Sequence, residues 1–505
     1  MSRWRERAWV AAGWLLVAVA ALVWTALDRR PPEWDHANHL ERMVHCAQDL
    51  AAGDVRALVE RSSFYPPLAT CAGALVYRLW PSDAAAGVVT MLGFLGLGMA
   101  SMLALGRAVA SGTVGVAGAL LFGTAPFVVF SVLNFQLDLP LAAMVAATLA
   151  VLLTTDRFRS VGYSLLAGVV AGLGMLTKPT FALYVLPAAL AAAPRGRRGG
   201  VNASLAVLVA GALSLPWYGP RLMGLPAQIG ARGGRLAAEQ GHPDPLSWTG
   251  LTFYPTWGVA QLGVVATLLL LVGLAVAARR RQWFLLAALI VPFAAILFVQ
   301  NKNLRYSLPL LPVAAVVAAL GLTAFAGRAR ASVAALAGVV AAAQVSAAAF
   351  GVPPPVTVPV VGVSWAFSQP PMRADWRHRE ILALITRDSG SRAAKVSVVP
   401  NDNFFSVSNF RYYAVRDALP LAFTRAWDED PIGVEYMILK SGDQGPAWTV
   451  ARPRRVIARL AEDAALAAAF PVIGEYPLPD GSLATVRARR VPPVEDLTPS
   501  ALERL

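Results

Sequence analysis

Eleven long apolar segments, with arginine clusters at alternate ends, dominate this chain of 505 residues. A helix of about 20 apolar residues crosses a hydrocarbon core about 30 Å thick and satisfies its own backbone hydrogen bonds where water is absent. The chain is 56% hydrophobic and only 15% charged, too apolar for an ordinary soluble fold. The sequence therefore predicts a polytopic all-α membrane bundle of about eleven transmembrane helices, near residues 8–27, 84–106, 113–133, 139–154, 161–177, 179–193, 201–218, 256–278, 283–299, 306–324 and 332–350.

The arginines predict the orientation of the chain. They precede the first span and follow each even-numbered one, as Arg3, Arg5 and Arg7, then Arg107, Arg157 and Arg159, Arg195, Arg197 and Arg198, Arg279, Arg280 and Arg281, and Arg328 and Arg330. Because positive charge concentrates in short cytoplasmic loops, we expect a cytoplasmic N-terminus. The short loops and Ala-rich spans suggest a multi-pass protein of the plasma (inner) membrane. Membrane anchoring also explains most of the net charge of +14. The sequence has no basic stripe interleaved with aromatic residues, so we expect no binding of nucleic acid.

The sequence predicts two domains. The transmembrane domain covers residues 1–351 and has two large outer loops, 28–83 and 219–255; an apolar segment at 65–80 is too short to cross and is interpreted as an interfacial helix. Three prolines after Gly351 lead into residues 352–505, of soluble composition. Alternating patterns there predict a small α/β domain, extracytoplasmic after an odd number of crossings, with helices at 376–387 and 452–469, strands at 395–399 and 434–439, and a hairpin at 476–490 turning at Asp480-Gly481.

Cys46 and Cys71 are the only cysteines, and both belong to the first outer loop. The outer side of a membrane is oxidising, so a disulfide between them can form. Two buried free thiols are the commoner arrangement for such a pair. The sequence leaves the pairing open.

Two acidic positions follow predicted spans on the outer side. Asp35, with His36 and His39, comes directly after the first span, and Asp138 occupies the turn between the third and the fourth. Charges beside a bilayer are costly unless they are used or paired. The alternatives are a solvated start of the loop for the first group and a helix N-cap before Pro140 for Asp138.

Three cations belong to the same predicted side. Lys178 follows the fifth span, and Lys302 and Arg305 follow the ninth. Their alternative role is to extend towards lipid headgroups, as long basic side chains do near a bilayer. By topology, two carboxylates and three cations are therefore expected on one aqueous face.

These residues lie in segments that resemble a known family. The segments are Trp34-Asp-His-Ala37, Tyr65-Pro-Pro-Leu68, Leu137-Asp-Leu-Pro140, Gly174-Met-Leu-Thr-Lys-Pro179, Pro216-Trp-Tyr218 and Arg305-Tyr-Ser-Leu-Pro-Leu-Leu-Pro312. Their order and spacing resemble the membrane-embedded glycosyltransferases of the C superfold, especially the dolichyl-phosphate-mannose–protein mannosyltransferase and lipid A aminoarabinose transferase branch. The resemblance covers residues 1 to about 350. His36 replaces a Glu that is common in the family after the first span.

The resemblance implies an enzyme that moves a sugar from a polyprenyl-phosphate carrier to an acceptor lipid, glycan or protein on the extracytoplasmic face. Asp35 would be the general base of an inverting attack, and a positioned base typically contributes about 10²–10⁴-fold. The cations Lys178, Lys302 and Arg305 would bind the donor phosphate and stabilise its negative charge as it departs.

The remaining assignments concern Asp138 and the cavity wall. Asp138 would orient the acceptor or share a divalent ion, Mg²⁺ or Mn²⁺, with Asp35, although some family members work without a metal. His36, His39, Tyr65 and Tyr306 would line the substrate cavity.

Two other functions fit a chain of this kind. One is a transporter or flippase of a lipid-linked sugar, for which internal repeats and midplane charges would be typical, and the sequence shows neither. The other is a noncatalytic membrane scaffold whose outer domain binds a partner.

Overall fold

The chain is mostly helical in a computed structural model that describes residues 1–61, 64–425 and 433–490. The helices are α1 (Arg3–Leu27), α2 (Trp34–Ala52), α3 (Val55–Glu60), α4 (Leu68–Leu79), α5 (Asp83–Val109), α6 (Gly112–Gly123), α7 (Pro126–Leu133), α8 (Asp138–Thr154), α9 (Val161–Met175), α10 (Phe181–Ala191), α11 (Gly196–Tyr218), α12 (Leu225–Gly233), α13 (Arg235–Glu239), α14 (Trp248–Leu262), α15 (Val264–Arg279), α16 (Trp283–Leu297), α17 (Leu311–Gly321), α18 (Gly327–Phe350), α19 (His378–Asp388), α20 (Val407–Arg416), α21 (Ala451–Glu462) and α22 (Ala464–Ala469). The strands are β1 (Thr357–Val358), β2 (Val363–Ser364), β3 (Ala394–Val398), β4 (Leu421–Arg425), β5 (Tyr436–Lys440), β6 (Val472–Pro477) and β7 (Leu483–Ala488). Short 3₁₀ turns lie at Gly219–Arg221, Leu304–Tyr306, Leu308–Leu310 and Leu322–Ala324.

The helices confirm a multi-pass membrane protein. Within the described residues, five helical stretches are long and apolar enough to cross a bilayer: α1, α5, Gly196–Arg221, Leu304–Ala324 and α18. The pair α6 and α7, bent by 55°, makes a sixth if it is one span. Every predicted span overlaps a helix, but the others are apolar helices of 10–17 residues. The count of eleven crossings therefore stays a prediction.

The predicted span at 256–278 is divided in the structure. Helix α14 ends at Leu262 and α15 begins at Val264, because Gly263 has φ +94°. A Cβ atom there would lie 1.8 Å from Nε2 of Gln344, so the break also brings α18 against the backbone. The hydropathy pattern does not reveal this break, since apolar residues continue on both sides.

Much of the predicted second outer loop, 219–255, is helical. It contains α12 and α13 and the start of α14. Pro226 occupies the first turn of α12, where proline is favourable. The Ser247 side chain caps α14 by accepting a hydrogen bond from the backbone N–H of Gly250.

The first outer loop contains α2, α3 and α4, and α4 coincides with the segment predicted as an interfacial helix. Cys46 of α2 and Cys71 of α4 form a disulfide, with their Cα atoms 5.5 Å apart. The commoner arrangement of two free thiols is therefore wrong for this pair. The sequence could not decide it because the approach of α2 to α4 depends on tertiary packing.

The disulfide closes a loop across 25 residues of sequence, and we expect its removal to destabilise the fold. Loop-closure entropy for a ring of that size is worth about 3 kcal/mol, so the variant carrying both Cys46→Ala and Cys71→Ala should have a clearly lower melting temperature in detergent. Maleimide labelling of the native wild-type protein should find no reactive thiol. Rapid labelling at either position, or an unchanged melting temperature in the variant, would contradict the pairing.

Strands β3 to β7 form a five-stranded sheet, which confirms the predicted C-terminal sheet region. Its strand order is β4-β3-β5-β7-β6. Strands β4, β3 and β5 are parallel to one another, and β7 is antiparallel to both of its neighbours, β5 and β6. Alternate β5 residues point to opposite faces: Ile438 packs in a core with residues of α19 and α20, and Met437 packs in a second core with residues of α21 and α22. The predicted hairpin turns at Asp480-Gly481, with Gly481 at φ +80°. Helix α20 and strand β4 were not predicted.

The chain divides into two compact units, and the division differs from the boundary at 351 predicted from the sequence. The first unit holds residues 1–26 and 46–371, and the second holds 27–45 together with the chain from Met372 onward. The boundary within α2 falls between His45 and Cys46. Residues 27–45, assigned from the sequence to an outer loop of the membrane domain, therefore pack with the C-terminal region.

Candidate active site

A buried ion pair is the centre of the candidate site in the first unit. Asp138 is the first residue of α8, and Lys178 lies in the turn between α9 and α10. The Lys178 ammonium donates a hydrogen bond of 2.6 Å to Oδ1 of Asp138, with the two side chains only 12% and 5% exposed. Such a pair is stabilised by the low local dielectric only while both partners are present. The alternative reading of Asp138 as an N-cap is wrong, because Leu137 occupies that position.

Three further predicted residues surround Lys178. Its Nζ lies 5.5 Å from the centroid of the Tyr306 ring, within cation–π range. Tyr65 and Arg305 are also close enough to interact electrostatically with the lysine. The structure thus brings together Tyr65, Asp138, Lys178, Arg305 and Tyr306, which come from distant parts of the sequence.

Hydrogen bonds hold the segment that carries Arg305 and Tyr306. The Asn303 side chain caps the 3₁₀ turn at Leu304–Tyr306 by accepting from the backbone N–H of Arg305 at 3.0 Å. Nη1 of Arg305 donates to Oε1 of Gln136 at 3.1 Å, and the Tyr184 hydroxyl donates to the Tyr306 carbonyl at 2.7 Å. Gln136, Tyr184 and Asn303 were not predicted as site residues from the sequence. Only Asn303 had a local signal, a capping residue before a short turn.

Gln261 fixes the same segment from α14. Its Nε2 donates to the Leu304 carbonyl at 2.9 Å, and its Oε1 accepts from the Ser307 hydroxyl at 2.8 Å. A buried amide whose two ends are both satisfied is a rigid support. Arg305 is therefore presented by a constrained turn and not by a free loop.

Lys302 is buried beside this group but has different contacts. Its Nζ donates to the Leu297 carbonyl at 2.5 Å and lies 5.8 Å from the centroid of the Tyr254 ring. It forms no ion pair with any carboxylate in the part of the chain that the structure describes. Burial lowers the pKa of Lys302, since desolvation disfavours the charged form. A nearby anion would offset that cost.

Three of the segments that carried the family resemblance, at 65–68, 174–179 and 216–218, meet around the turn that ends in Lys178. The backbone N–H of Leu68 donates to the Leu176 carbonyl at 3.0 Å, and the Tyr218 hydroxyl donates to the Met175 carbonyl at 2.9 Å. A Cβ on Gly174 would lie 2.2 Å from the ring of Phe181, so only glycine fits there. These residues are the scaffold that fixes the position of Lys178.

The other predicted group, Asp35, His36 and His39, belongs to the second unit. Asp35 is the second residue of α2 and is partly buried, as is His36, whereas His39 is buried. A carboxylate in the first turn of a helix is favoured by the helix dipole. The joint action of Asp35 with Asp138 stays a prediction, as do the cavity roles of the two histidines.

The residues at Asp138 do not form a metal cage. Its carboxylate already accepts from an ammonium, and no group of three or more His, Cys, Asp or Glu side chains within residues 1–61, 64–425 and 433–490 could hold an ion. Metal sites for Mg²⁺ or Mn²⁺ need several oxygen ligands. A shared divalent ion therefore stays a sequence-based prediction, and no step proposed below uses one.

Comparison with known proteins decides the fold. Residues 65–223 match the family model of dolichyl-phosphate-mannose-protein mannosyltransferase. ArnT from Cupriavidus metallidurans, in its crystal structure bound to undecaprenyl phosphate, superposes with a TM-score of 0.56 at 15% identity, over 94% of this chain and 97% of that one. The chain has the C-superfold of membrane glycosyltransferases. The family resemblance predicted from the sequence is thereby confirmed.

A second C-superfold protein extends the comparison. The archaeal oligosaccharyltransferase AglB from Archaeoglobus fulgidus, in complex with an inhibitory peptide and a dolichol-phosphate, matches with a TM-score of 0.54 at 12% identity, over 97% of this chain and 75% of that one. No curated protein sequence matches this chain significantly. The segment that matches the family model includes Tyr65, Asp138 and Lys178, so the buried ion pair lies within the matched residues.

Proposed function

We propose that this protein transfers a sugar from a polyprenyl-phosphate-linked donor to an acceptor on the extracytoplasmic side of the plasma (inner) membrane. The observation that carries the proposal is the buried Asp138–Lys178 pair beside Tyr306 and Arg305. A cluster with more positive than negative groups, inside an apolar helical body, suits an anionic headgroup on a long apolar chain. The undecaprenyl phosphate bound to ArnT and the dolichol-phosphate bound to AglB support the same donor class.

In the proposed reaction the leaving group is the polyprenyl phosphate. As the bond between the anomeric carbon and the phosphate oxygen breaks, negative charge grows on that oxygen. Lys178 and Arg305 supply fixed donors for this charge, and Lys302 adds a third cation nearby in the chain. While no donor is bound, Asp138 holds the buried ammonium in place and balances its charge, a positioning role that suits its contacts better than binding the acceptor.

The nucleophile is an acceptor hydroxyl or similar group. It attacks the anomeric carbon opposite the leaving phosphate, which inverts the configuration, and its proton passes to the carboxylate of Asp35. The first turn of α2 presents that carboxylate, partly exposed, where a substrate group can reach it. The acceptor is a lipid, a glycan or a protein.

Lipid analysis tests the donor class directly. The purified protein should carry a polyprenyl phosphate or its sugar conjugate, detected by mass spectrometry of the extracted lipids. Incubation with synthetic undecaprenyl-phosphate-linked sugars and membranes as the acceptor source should release undecaprenyl phosphate. Movement of the lipid across liposomes without any sugar transfer would contradict the proposal and favour a flippase.

A further inference from the structure

The segment around Asp35 is held by hydrogen bonds to three residues of the C-terminal region, all within the second unit. Nδ2 of Asn409 donates to the Pro32 carbonyl at 2.6 Å, and Nε1 of Trp34 donates to the Asp402 carbonyl at 2.8 Å. Arg411 binds side chains of α2 in the two turns after Asp35. These contacts come from α20 and from the turn before it.

Arg411 makes two contacts to consecutive turns of α2. Its Nε donates to Oε2 of Glu41 at 2.6 Å, and its Nη2 donates to Oδ1 of Asn38 at 2.9 Å. The guanidinium side chain is 42% exposed, but the Glu41 carboxylate is only 11% exposed. An exposed ion pair alone contributes little, whereas a forked contact that also satisfies a buried carboxylate restrains geometry. Residues 38 and 41 lie one and two turns beyond position 35 on the same helix.

Asn409 anchors the other side of Asp35. Its Oδ1 accepts from the backbone N–H and hydroxyl of Ser406, closing a capping box at the start of α20, while its Nδ2 reaches the Pro32 carbonyl. The side chain is fully buried, and both its amide oxygen and its amide nitrogen form hydrogen bonds. One residue thus joins the start of α20 to the chain that enters α2.

We propose that Arg411, through Glu41 and Asn38, is a positioning residue that fixes the first turns of α2 and with them the carboxylate of Asp35. The inference rests on the function proposed above, in which Asp35 is the base. Asn409 and the Trp34–Asp402 contact act with it from the N-terminal side. In this proposal the C-terminal region holds the catalytic base in position. Misplacement of a catalytic group by about 1 Å can cost 10²-fold in rate, so loss of one restraint is measurable.

The test uses the full-length protein with Arg411→Ala, and Arg490→Ala as the matched control. Arg490 donates to Asp388 at 2.6 Å in the same region and, among the described residues, has no hydrogen bond or ion pair to residues 27–45. We expect Arg411→Ala to lower the turnover of a synthetic undecaprenyl-phosphate-linked sugar about tenfold or more with an unchanged KM for the donor. Hydrogen–deuterium exchange of the peptide covering 33–41 should rise in this variant and stay at the wild-type level in Arg490→Ala.

A charge reversal separates positioning from general stability. Glu41→Arg combined with Arg411→Glu should recover exchange protection of 33–41 and part of the turnover that either single reversal loses. Unchanged exchange at 33–41 in Arg411→Ala would overturn the inference, even if the variant melts earlier. Full turnover in Arg411→Ala, when Asp35→Asn is inactive, would overturn it as well.

Failure of the proposed function is distinguishable from failure of this inference. If Asp35→Asn keeps its activity, the base is wrong whatever Arg411 does, and the positioning role falls with it. If Asp35→Asn is inactive and Arg411→Ala behaves as wild type, only the positioning role falls.

Discussion

Asparagine in place of Asp35 should reduce the rate of sugar transfer by about 10²–10⁴-fold, the usual contribution of a positioned general base. The amide has the shape of the carboxylate but cannot take the acceptor proton at neutral pH. The contacts that hold its surroundings, from Asn409 to the Pro32 carbonyl and from Trp34 to the Asp402 carbonyl, involve neighbouring residues and remain. The fold and the affinity for undecaprenyl phosphate should therefore stay unchanged while turnover collapses.

Single-turnover measurement with a synthetic undecaprenyl-phosphate-linked sugar checks this result, because it isolates the chemical step from product release. The matched control is Asp54→Asn, at another aspartate of the first outer loop. Asp54 caps α3 by accepting from the backbone N–H of Ala57 at 2.9 Å, and asparagine caps equally well. Turnover in Asp35→Asn within threefold of the wild-type rate would remove Asp35 as the base.

The sequence predicted those parts of the protein that depend on local pattern. Apolar segments predicted spans that all overlap helices in the structure. Alternating patterns predicted the sheet and its hairpin at Asp480-Gly481. The approach of Asp138, Lys178, Arg305 and Tyr306 to one another agrees with the predicted topology, which places all four at the same predicted aqueous face. A charge that is costly in a bilayer is informative because few positions tolerate it.

The sequence could not predict features that depend on which segments approach each other. The Asp138–Lys178 pair joins residues 40 apart, and either carboxylate near the site was an equally good partner for the lysine. The attachment of residues 27–45 to the C-terminal region depends on Asn409 and Arg411, whose local sequence carries no such signal. The helix break at Gly263 has no signal in the hydropathy pattern, because it depends on the close approach of Gln344 to the backbone there.

Methionine in place of Lys178 should have two separable effects. It leaves the Asp138 carboxylate buried without its cation, which typically costs about 3–5 kcal/mol of folding stability. It also removes a charged donor from the proposed phosphate site. Charged hydrogen bonds are worth about 1.5–3 kcal/mol, so the affinity for undecaprenyl phosphate should fall roughly tenfold to 100-fold.

The variant Asp138→Asn distinguishes the two effects. It should also melt earlier, because the ammonium loses its counter-charge, but its affinity for the lipid should be equal to or higher than that of the wild type, since no carboxylate competes with the phosphate for Nζ. Combining Lys178→Met with Asp138→Asn should restore most of the melting temperature and none of the lipid affinity.

Arg107→Ala is the control for a broken buried ion pair elsewhere in the same unit, since Arg107 pairs with buried Glu6. We expect it to lower the melting temperature and leave the affinity for undecaprenyl phosphate unchanged. Melting temperatures in detergent and tryptophan fluorescence titration with undecaprenyl phosphate measure the two quantities independently. If the doubly substituted protein binds the lipid as tightly as the wild type, the Lys178 ammonium serves only to neutralise Asp138, and the phosphate site must be sought at Arg305 and Lys302.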